Sequence, residues 1–335
     1  MKRTKLVVTL VLVVALVLGA VTGCGKSDTA KSTDSKKENT VVRIAAQPYP
    51  LYTPVYVAKN LGFLDEELKK VGAEYEWLDF KSGPLVNEAV AAGEADLGFM
   101  ADLPAIIAKS TGQDIEVVSN VAYGEKGLAV LVKSDSDITS VKDLKGKKVA
   151  YATGSYAQHL LALLLDKEGL SLDDVESINL AGGDQPAALT NGEVDAIVIW
   201  EQFISQLTSS GQAKVLADGT GIKRGNMITY FVKDYAEQNP DVVKAYIRAL
   251  NRANEVLKSD PDKAAKTVAG DFGVDEELMK KIIANFDYHT ELTKEDIDEI
   301  TKVKDFSLQS GIISNDVNID EFINTKYLDE IAKEK

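Results

Sequence analysis

The chain has 335 residues, of which 45% are apolar, and it carries a formal net charge of −14 at pH 7. This excess of negative charge repels a phosphate backbone, so it argues against a nucleic-acid partner. The length and the apolar fraction suffice for one large core or two medium ones, and we expect two lobes.

The first 23 residues have the order of a secretory signal, with a basic start followed by an apolar run. Lys2, Arg3 and Lys5 precede residues 6–18, which are almost all aliphatic. A membrane-spanning helix needs about 20 apolar residues, and this run is shorter, so we expect a signal peptide that is cleaved. The stretch 21–25, Val-Thr-Gly-Cys-Gly, resembles a bacterial lipobox, which predicts that Cys24 is lipidated and becomes the first mature residue.

Residues 24–40 join this cysteine to the rest of the chain. After Cys24 they are small or polar, a composition that cannot form a core and predicts a flexible tether. Cys24 is the only cysteine, so a framework of disulfides within the chain is excluded. We therefore expect an extracytoplasmic body that is attached to the cell membrane through its lipid anchor alone.

From residue 41 onward, short aliphatic runs alternate with segments of helical periodicity, a pattern typical of an α/β fold with mostly parallel strands. Beyond Pro240 the apolar residues recur at helical spacing, which predicts a helix over 241–258 and further helices to the end of the chain. The predicted strands are 41–46, 74–80, 95–100, 117–121, 148–152, 177–179 and 196–200.

A helix, a Gly-Glu-x-Asp turn and a strand occur twice, once in each half of the chain. Gly93 and Gly192 occupy the position that follows a helix, and Asp96 and Asp195 precede the two strands. The repeat predicts two similar α/β lobes.

Two further strand-like stretches, 128–133 and 227–233, resemble each other, and both end in Val-Lys. If they connect the lobes, residues 41–132 plus 228–335 form the first lobe with its C-terminal helices. Residues 133–227 then form the second lobe, and the two crossing strands act as a hinge.

In open α/β sheets, ligands bind beyond the carboxyl ends of the strands, where the chain turns into the next helix. Two such turns, at 81–84 and 153–156, contain a serine and a glycine at a predicted helix start. The N–H groups of a helix start carry partial positive charge, so Ser82 and Ser155 mark candidate anion sites. Each serine also has the ordinary interpretation of a helix cap.

Acidic and aromatic residues stand at the other turns. Asp102, Asp184 and Glu201 are acidic candidates for the cleft, although Asp102 and Asp184 are equally explained as helix caps. Trp200 ends an apolar strand and is either a cleft wall or a core residue. The predicted ligand-binding residues are Gln47, Ser82, Asp102, Ser155, Tyr156, Asp184, Trp200 and Glu201.

The stretches 76–84, 92–98, 103–109, 143–149, 192–196 and 200–201 together resemble a family of ABC-importer substrate-binding proteins. Its members bind aliphatic sulfonates, taurine or nitrate, and binders of thiamine-pyrimidine precursors also belong to it. The resemblance covers nearly all of the body. It implies a bilobal periplasmic-binding-protein type II fold, and a monomer that delivers a small-molecule ligand to an ABC permease with a separate ATPase.

Two positions depart from the family pattern. Tyr156 follows Ser155 where the family commonly has adjacent small hydroxyls, and Glu201-Gln202 replaces the usual acid-Pro pair after the tryptophan. Because both positions belong to the expected cleft, the ligand cannot be transferred directly from the family.

The sequence predicts neither an enzyme nor a cofactor or metal site. The two histidines, His159 and His289, belong to no recognisable catalytic pattern, and residues 219–225 miss the dinucleotide-binding spacing by one position. Two other classes stay open: a ligand-sensing lipoprotein that transports nothing, and an enzyme built on the same fold.

A cleft that combines anion-binding turns with carboxylates favours a zwitterion, because an unpaired buried carboxylate repels a bare anion. We therefore expect a small sulfonate or taurine-like ligand, with an aminoalkane sulfonate such as taurine, or a plain alkanesulfonate, preferred to nitrate. A heteroaromatic molecule such as a thiamine-pyrimidine precursor, stacked on Trp200 and Tyr156, is the alternative.

Overall fold

The computed structural model describes residues 40–334. The predicted signal peptide, Cys24 and all but the last residue of the predicted tether lie outside the described residues. Within 40–334, none of the helices has both the length and the apolar character needed to cross a membrane.

Ten strands and fourteen helices alternate along the described residues. The strands are β1 Thr40–Ala46, β2 Ala73–Asp79, β3 Leu97–Ala101, β4 Ile115–Ala122, β5 Leu128–Lys133, β6 Lys148–Tyr151, β7 Glu176–Asn179, β8 Ala196–Trp200, β9 Ala213–Asp218 and β10 Met227–Val232. The helices are α1 Thr53–Asn60, α2 Phe63–Lys70, α3 Gly83–Ala91, α4 Asp102–Ser110, α5 Tyr156–Lys167, α6 Gln185–Asn191, α7 Phe203–Ser209, α8 Lys233–Gln238, α9 Pro240–Ser259, α10 Pro261–Val268, α11 Glu276–Ile283, α12 Lys294–Gln309, α13 Ile319–Phe322 and α14 Lys326–Ala332.

The strands form two sheets of the same design. The order in the first sheet is β2-β1-β3-β10-β4, and the order in the second is β7-β6-β8-β5-β9. In each sheet the first three strands are parallel, and the fourth strand runs antiparallel to both of its neighbours. Each sheet is the centre of one α/β lobe, which is the bilobal arrangement that the sequence predicts.

The chain crosses between the lobes at 123–127 and 219–226, which corrects the expected role of residues 128–133. β4 lies in the first sheet, whereas β5 pairs with β8 and β9 of the second. Residues 128–133 are therefore the first strand of the second lobe and not the connection to it. β5 is almost entirely buried and is hydrogen-bonded on one side to β8 and on the other side to β9, so it is an interior strand of the second sheet. β10 holds the same position in the first sheet, which explains the likeness of the two stretches.

The two crossing segments lie side by side. The Gly124 N–H donates to the Arg224 carbonyl at 3.1 Å, and the Gly219 N–H donates to the Glu125 carbonyl at 3.0 Å. A Cβ atom at Gly219 would lie 2.5 Å from the Glu125 carbonyl oxygen. Glycine is therefore required at this position for the two segments to approach each other so closely.

The repeated Gly-Glu-x-Asp turn has the same geometry in both lobes, as the sequence predicts. Gly93 and Gly192 adopt left-handed backbone angles, with φ of 71° and 75°. Each aspartate then accepts a backbone N–H of the neighbouring strand: Asp96 from Arg43 and Asp195 from Lys148, both at 2.8 Å. The turn thus ends one helix and fixes the register of the next strand.

The long helix α9 covers the first lobe, and its limits agree with the prediction of 241–258 to within one residue. It packs against α1, α2 and α14. All seven residues that the periodicity assigned to its apolar face are buried, namely Val242, Val243, Tyr246, Ile247, Leu250, Ala253 and Leu257.

Candidate functional site

A cavity lies where the carboxyl ends of strands from both sheets face one another. Its empty volume is about 330 Å³, including the part that is open to solvent. The lining comes from the ends of β1, β3 and β8, from the starts of α3, α4 and α5, and from the segment between β1 and α1. The lining residues are Gln47, Tyr49, Leu51, Tyr52, Ser82, Gly83, Ala101, Pro104, Ser155, Tyr156 and Trp200.

The structure brings five of the predicted ligand-binding residues together in this lining. They are Gln47 and Ser82 from the first lobe, and Ser155, Tyr156 and Trp200 from the second. Gln47 is held in place because its Nε2 donates to the Phe99 carbonyl at 2.8 Å.

The two serines play different parts. The Ser155 hydroxyl donates to the Ala152 carbonyl at 2.6 Å and accepts the Ala157 N–H at 3.2 Å, so it is committed to the cap of α5. Ser82 precedes α3, and its side chain makes no capping hydrogen bond. The Ser82 hydroxyl is therefore the one of the two that can turn to a ligand.

Each lobe presents the start of a helix to the cavity. α3 begins at Gly83 and α5 begins at Tyr156, and both residues belong to the lining. The first N–H groups of a helix have no partner within that helix and carry its partial positive charge. Pro84, the second residue of α3, has no N–H, and the Ala157 N–H of α5 is bonded to the Ser155 hydroxyl. The N–H groups of Gly83 and Tyr156 are therefore the ones at these two helix starts that suit an anionic oxygen group.

Aromatic residues form the walls of the cavity. The Trp200 ring lies 5.5 Å from Tyr49, edge to face, and 5.9 Å from Tyr156. Burial raises the pKa of Tyr49 to about 12 and raises the pKa of Tyr52 and of Tyr156 as well. The Tyr49 hydroxyl donates to the Lys81 carbonyl at 2.7 Å, and the Tyr156 hydroxyl donates to the Gly127 carbonyl at 3.4 Å, so both donors are engaged within the protein.

The indole N–H of Trp200 is a buried donor that has no hydrogen-bond partner among residues 40–334. Leaving a buried donor unpaired costs about 1–3 kcal/mol, so an unpaired buried donor needs an explanation, such as a bound water or a ligand. Here a ligand that accepts this hydrogen bond would remove the cost.

Asp102 does not line the cavity, which corrects the expectation that it belongs to the cleft. Its carboxylate is fully buried and lies 3.0 and 2.9 Å from the ammonium of Lys223, which is equally buried. The same carboxylate accepts the Leu103 N–H at 2.7 Å. Its charge is thus neutralised behind the start of α4 and is not presented to a ligand.

Glu201 and Asp184 are also placed away from the lining. Glu201 accepts hydrogen bonds from Ser205 in its own lobe and from Asn285 Nδ2, at 3.2 Å, in the other lobe. Burial raises the pKa of Glu201. Asp184 is exposed and makes no capping hydrogen bond to α6.

These placements remove the basis for a zwitterionic ligand. The preference for an aminoalkane sulfonate rested on three acidic side chains in the cleft, and none of Asp102, Asp184 and Glu201 is in the lining. Every side chain of the lining is uncharged at neutral pH.

Three lining residues that follow β1 are not among the predicted ligand-binding residues, namely Tyr49, Leu51 and Tyr52. The available signal was their position: they come directly after a buried strand, at the edge of the sheet where ligands bind. Pro48 and Pro50 surround Tyr49, and residues 50–52 form a single 3₁₀ turn before α1 begins at Thr53.

The lobes touch each other around the cavity. Gln202 Nε2 of the second lobe donates to the Phe272 carbonyl of the first at 2.7 Å. On another side, His159 of α5 packs against Phe306 of α12, with ring centres 5.1 Å apart. These contacts describe a closed state of the cleft.

His159 has an unusual environment in this interface. Its side chain is 2% exposed, and neither ring nitrogen has a hydrogen-bond partner within the described residues. Burial, together with the nearby ammonium of Lys223, holds the pKa of His159 well below its ordinary value. The imidazole is therefore neutral in the closed state.

Two α/β lobes that enclose a cavity at the carboxyl ends of both sheets define a bilobal fold of the periplasmic-binding-protein type. Residues 49–264 match the family described as NMT1/THI5 like, and this match covers more than half of the chain. The protein belongs to that family.

Comparison with individual proteins agrees with this assignment. A Bacillus subtilis (strain 168) protein named for binding aliphatic sulfonates is 28% identical over 325 residues, which cover 96% of each chain. The taurine-binding periplasmic protein of Escherichia coli (strain K12) is 30% identical over 58% of this chain and 61% of its own. The structure of the alkanesulfonate-binding protein SsuA from Xanthomonas axonopodis pv. citri, bound to MOPS, superposes with a TM-score of 0.79. That protein is 28% identical, and the match covers 86% of this chain and 99% of that one.

Proposed function

We propose that this protein is the extracytoplasmic solute-binding component of an ABC importer, and that it captures an organic sulfonate whose tail carries no positive charge. The observation that carries the proposal is the cavity itself. Its lining joins helix starts from both lobes to aromatic walls and includes no charged side chain. The names of the relatives, which refer to aliphatic sulfonates and taurine, support a sulfonate head group.

In this proposal the sulfonate oxygens accept hydrogen bonds from the helix starts at Gly83 and Tyr156, from the Ser82 hydroxyl and from the Trp200 indole. Hydrogen bonds to a charged acceptor are about twice as strong as neutral ones. The tail packs against Tyr49 and Tyr52, where burial of each CH₂ group contributes about 0.8 kcal/mol.

The uncharged, aromatic lining of the cavity favours this ligand class over taurine and over nitrate. An ammonium group taken out of water needs a paired carboxylate, and both Asp102 and Glu201 are engaged elsewhere. Nitrate carries the right charge but has no apolar tail to contact the aromatic walls. We therefore expect an alkyl or aryl sulfonate to bind more tightly than either one.

The proposed mechanism is capture without chemistry. A ligand that contacts both lobes binds the closed state more tightly than the open one, and this difference in affinity drives closure about the segments 123–127 and 219–226. The closed form then presents its surface to a permease. The lining offers hydroxyl, amide and indole groups but no side chain that would act as a base at neutral pH, so we propose no enzymatic reaction.

The location of the protein is part of the same proposal. Cys24 carries the lipid, and the body acts as a monomer outside the cytoplasm, next to a permease that has a separate ATPase. Replacing Cys24 with alanine should move the protein from the membrane fraction to the soluble fraction. Loss of sulfonate uptake in a deletion strain would separate a transport role from a purely sensory one.

A thermal-unfolding screen tests the ligand class. The purified protein is heated with 1-hexanesulfonate, benzenesulfonate, taurine, nitrate or a thiamine-pyrimidine precursor. A ligand at about 100 times its Kd adds about 2.7 kcal/mol of stability, which raises the melting temperature by several degrees at this size. We expect this shift for hexanesulfonate or benzenesulfonate. A shift with taurine alone would contradict the argument from charge. A shift with the pyrimidine alone would favour stacking between Trp200 and Tyr156 over anion binding.

A further inference from the structure

Gly182 lies against the tryptophan of the cavity wall. It is a buried residue of the loop 180–184, which connects β7 to α6. A Cβ atom at Gly182 would lie 2.5 Å from Cζ2, 3.0 Å from Cη2 and 3.2 Å from Cε2 of Trp200. Carbon atoms in favourable contact are about 3.5–4.0 Å apart, so even an alanine cannot be accommodated without a shift of about 1 Å.

The backbone of Gly182 does not explain why glycine is there. Its φ is outside the left-handed region, so a left-handed backbone is not the reason for the glycine. What excludes a side chain is therefore the indole of Trp200. The two residues form a matched pair, in which the missing side chain of one makes room for the large side chain of the other.

We propose that Gly182 sets the affinity for the ligand by fixing the position of the Trp200 indole, and thereby the width of the cavity. The proposal rests on the function proposed above. Trp200 cannot retreat along its strand, because β8 is paired with β5 and Leu128 lies directly opposite Trp200. Trp200 lines the cavity, so we expect a side chain at position 182 to displace the ring toward the volume that the ligand would fill.

The matched control is the next residue. A Cβ atom at Gly183 meets no atom within 4 Å, and Gly183 also has φ outside the left-handed region. Gly182→Ala and Gly183→Ala therefore make the same chemical change in the same loop, and only the first meets the indole.

The first test needs no ligand. The chain has two tryptophans, Trp77 and Trp200, so replacing Trp77 with phenylalanine leaves Trp200 as the only indole fluorophore. In this background, Gly182→Ala should increase quenching by acrylamide and shift the emission to longer wavelength, because the indole moves toward the open cavity. Gly183→Ala should leave both unchanged. Unchanged quenching in folded Gly182→Ala would overturn the proposal.

The second test measures binding of 1-hexanesulfonate by calorimetry. We expect Gly182→Ala to weaken binding by about tenfold or more, as overpacking of a closed site does. The double variant Gly182→Ala with Trp200→Phe should bind within about threefold of Trp200→Phe alone, because the smaller ring leaves room for the methyl group. This double variant also keeps the test valid if Gly182→Ala alone fails to fold.

The two proposals fail in different ways. If the unaltered protein binds hexanesulfonate and Gly182→Ala binds it equally well, the role of Gly182 is refuted and the proposed function stands. If the unaltered protein binds no sulfonate, the proposed function fails, and the quenching experiment still decides whether Gly182 positions the indole.

Discussion

Removal of the buried ion pair between Lys223 and Asp102 should lower the free energy of unfolding strongly. Lys223 belongs to the segment 219–226, which returns the chain to the first lobe, and Asp102 begins α4 at the edge of the cavity. Both side chains are completely buried, and the ammonium lies 2.9 and 3.0 Å from the two carboxylate oxygens. The pair therefore connects the hinge segment 219–226 to the start of α4, next to the cavity.

The change to make is Lys223→Met, which shortens the unbranched side chain by one atom and removes its charge. It leaves the Asp102 carboxylate buried with the Leu103 N–H as its one remaining hydrogen-bond donor among residues 40–334. Removing one member of a buried ion pair costs about 3–5 kcal/mol, because the remaining charge is not compensated. In the double variant with Asp102→Asn the charge is gone and the acceptor for Leu103 is kept. We expect that variant to be at least about 2 kcal/mol more stable than Lys223→Met alone.

Urea unfolding, followed by circular dichroism, measures these differences in the free energy of unfolding. Sulfonate binding should weaken in Lys223→Met as well, because an uncompensated negative charge then lies next to the anion site. If Lys223→Met unfolds at the same urea concentration as the unaltered protein, the pair does not tie the hinge to the site and the reasoning is refuted.

Two further predictions concern the serines of the site and the buried histidine. Ser155→Ala should lower the free energy of unfolding, measured with urea, by about 1 kcal/mol because a helix cap is lost. Ser82→Ala should leave the free energy of unfolding unchanged, but it should weaken sulfonate binding, measured by calorimetry, by about 1–3 kcal/mol. Because the pKa of His159 is held below 6.5 in the folded protein, the unfolded chain takes up the proton first, and stability falls as the pH drops below 6.5. Between pH 7.5 and 5.5 the unaltered protein should lose up to about 1.4 kcal/mol more than His159→Leu, measured by urea unfolding.

Specific outcomes would contradict each of these. Equal losses of affinity in Ser82→Ala and Ser155→Ala would show that the hydroxyl of Ser155 also serves the ligand. An identical pH dependence of stability in the His159→Leu variant would mean that the histidine is hydrated or paired in solution, contrary to its burial between the lobes.

The sequence predicted most of the fold because the fold depends on local patterns. Apolar runs located nine of the ten strands, and the Gly-Glu-x-Asp repeat at Gly93 and Gly192 revealed two similar lobes. The strand that was missed, β9 Ala213–Asp218, is an edge strand whose residues are mostly only partly buried, so its apolar pattern is weak. The position of β5 was misjudged because sheet order depends on pairing between distant segments, which one sequence does not reveal.

The carboxylates of the site could not be assigned from the sequence for a similar reason. Asp102 and Lys223 are 121 positions apart, and nothing in either local pattern marks them as partners. Glu201 and Asn285 are 84 positions apart and belong to different lobes. Sequence position identified which turns reach the cavity, but the direction of each side chain depends on partners that only the folded structure brings near.

The most direct test of the proposed function is a crystal structure of the protein with bound 1-hexanesulfonate. We predict that the sulfonate lies between the lobes, with oxygens about 2.7–3.1 Å from N–H groups at the starts of α3 and α5 and from the Trp200 indole nitrogen. The alkyl tail should contact Tyr49 and Tyr52. A sulfonate bound outside this cavity, or a head group that contacts Asp102 or Glu201 in place of the helix starts, would contradict the account.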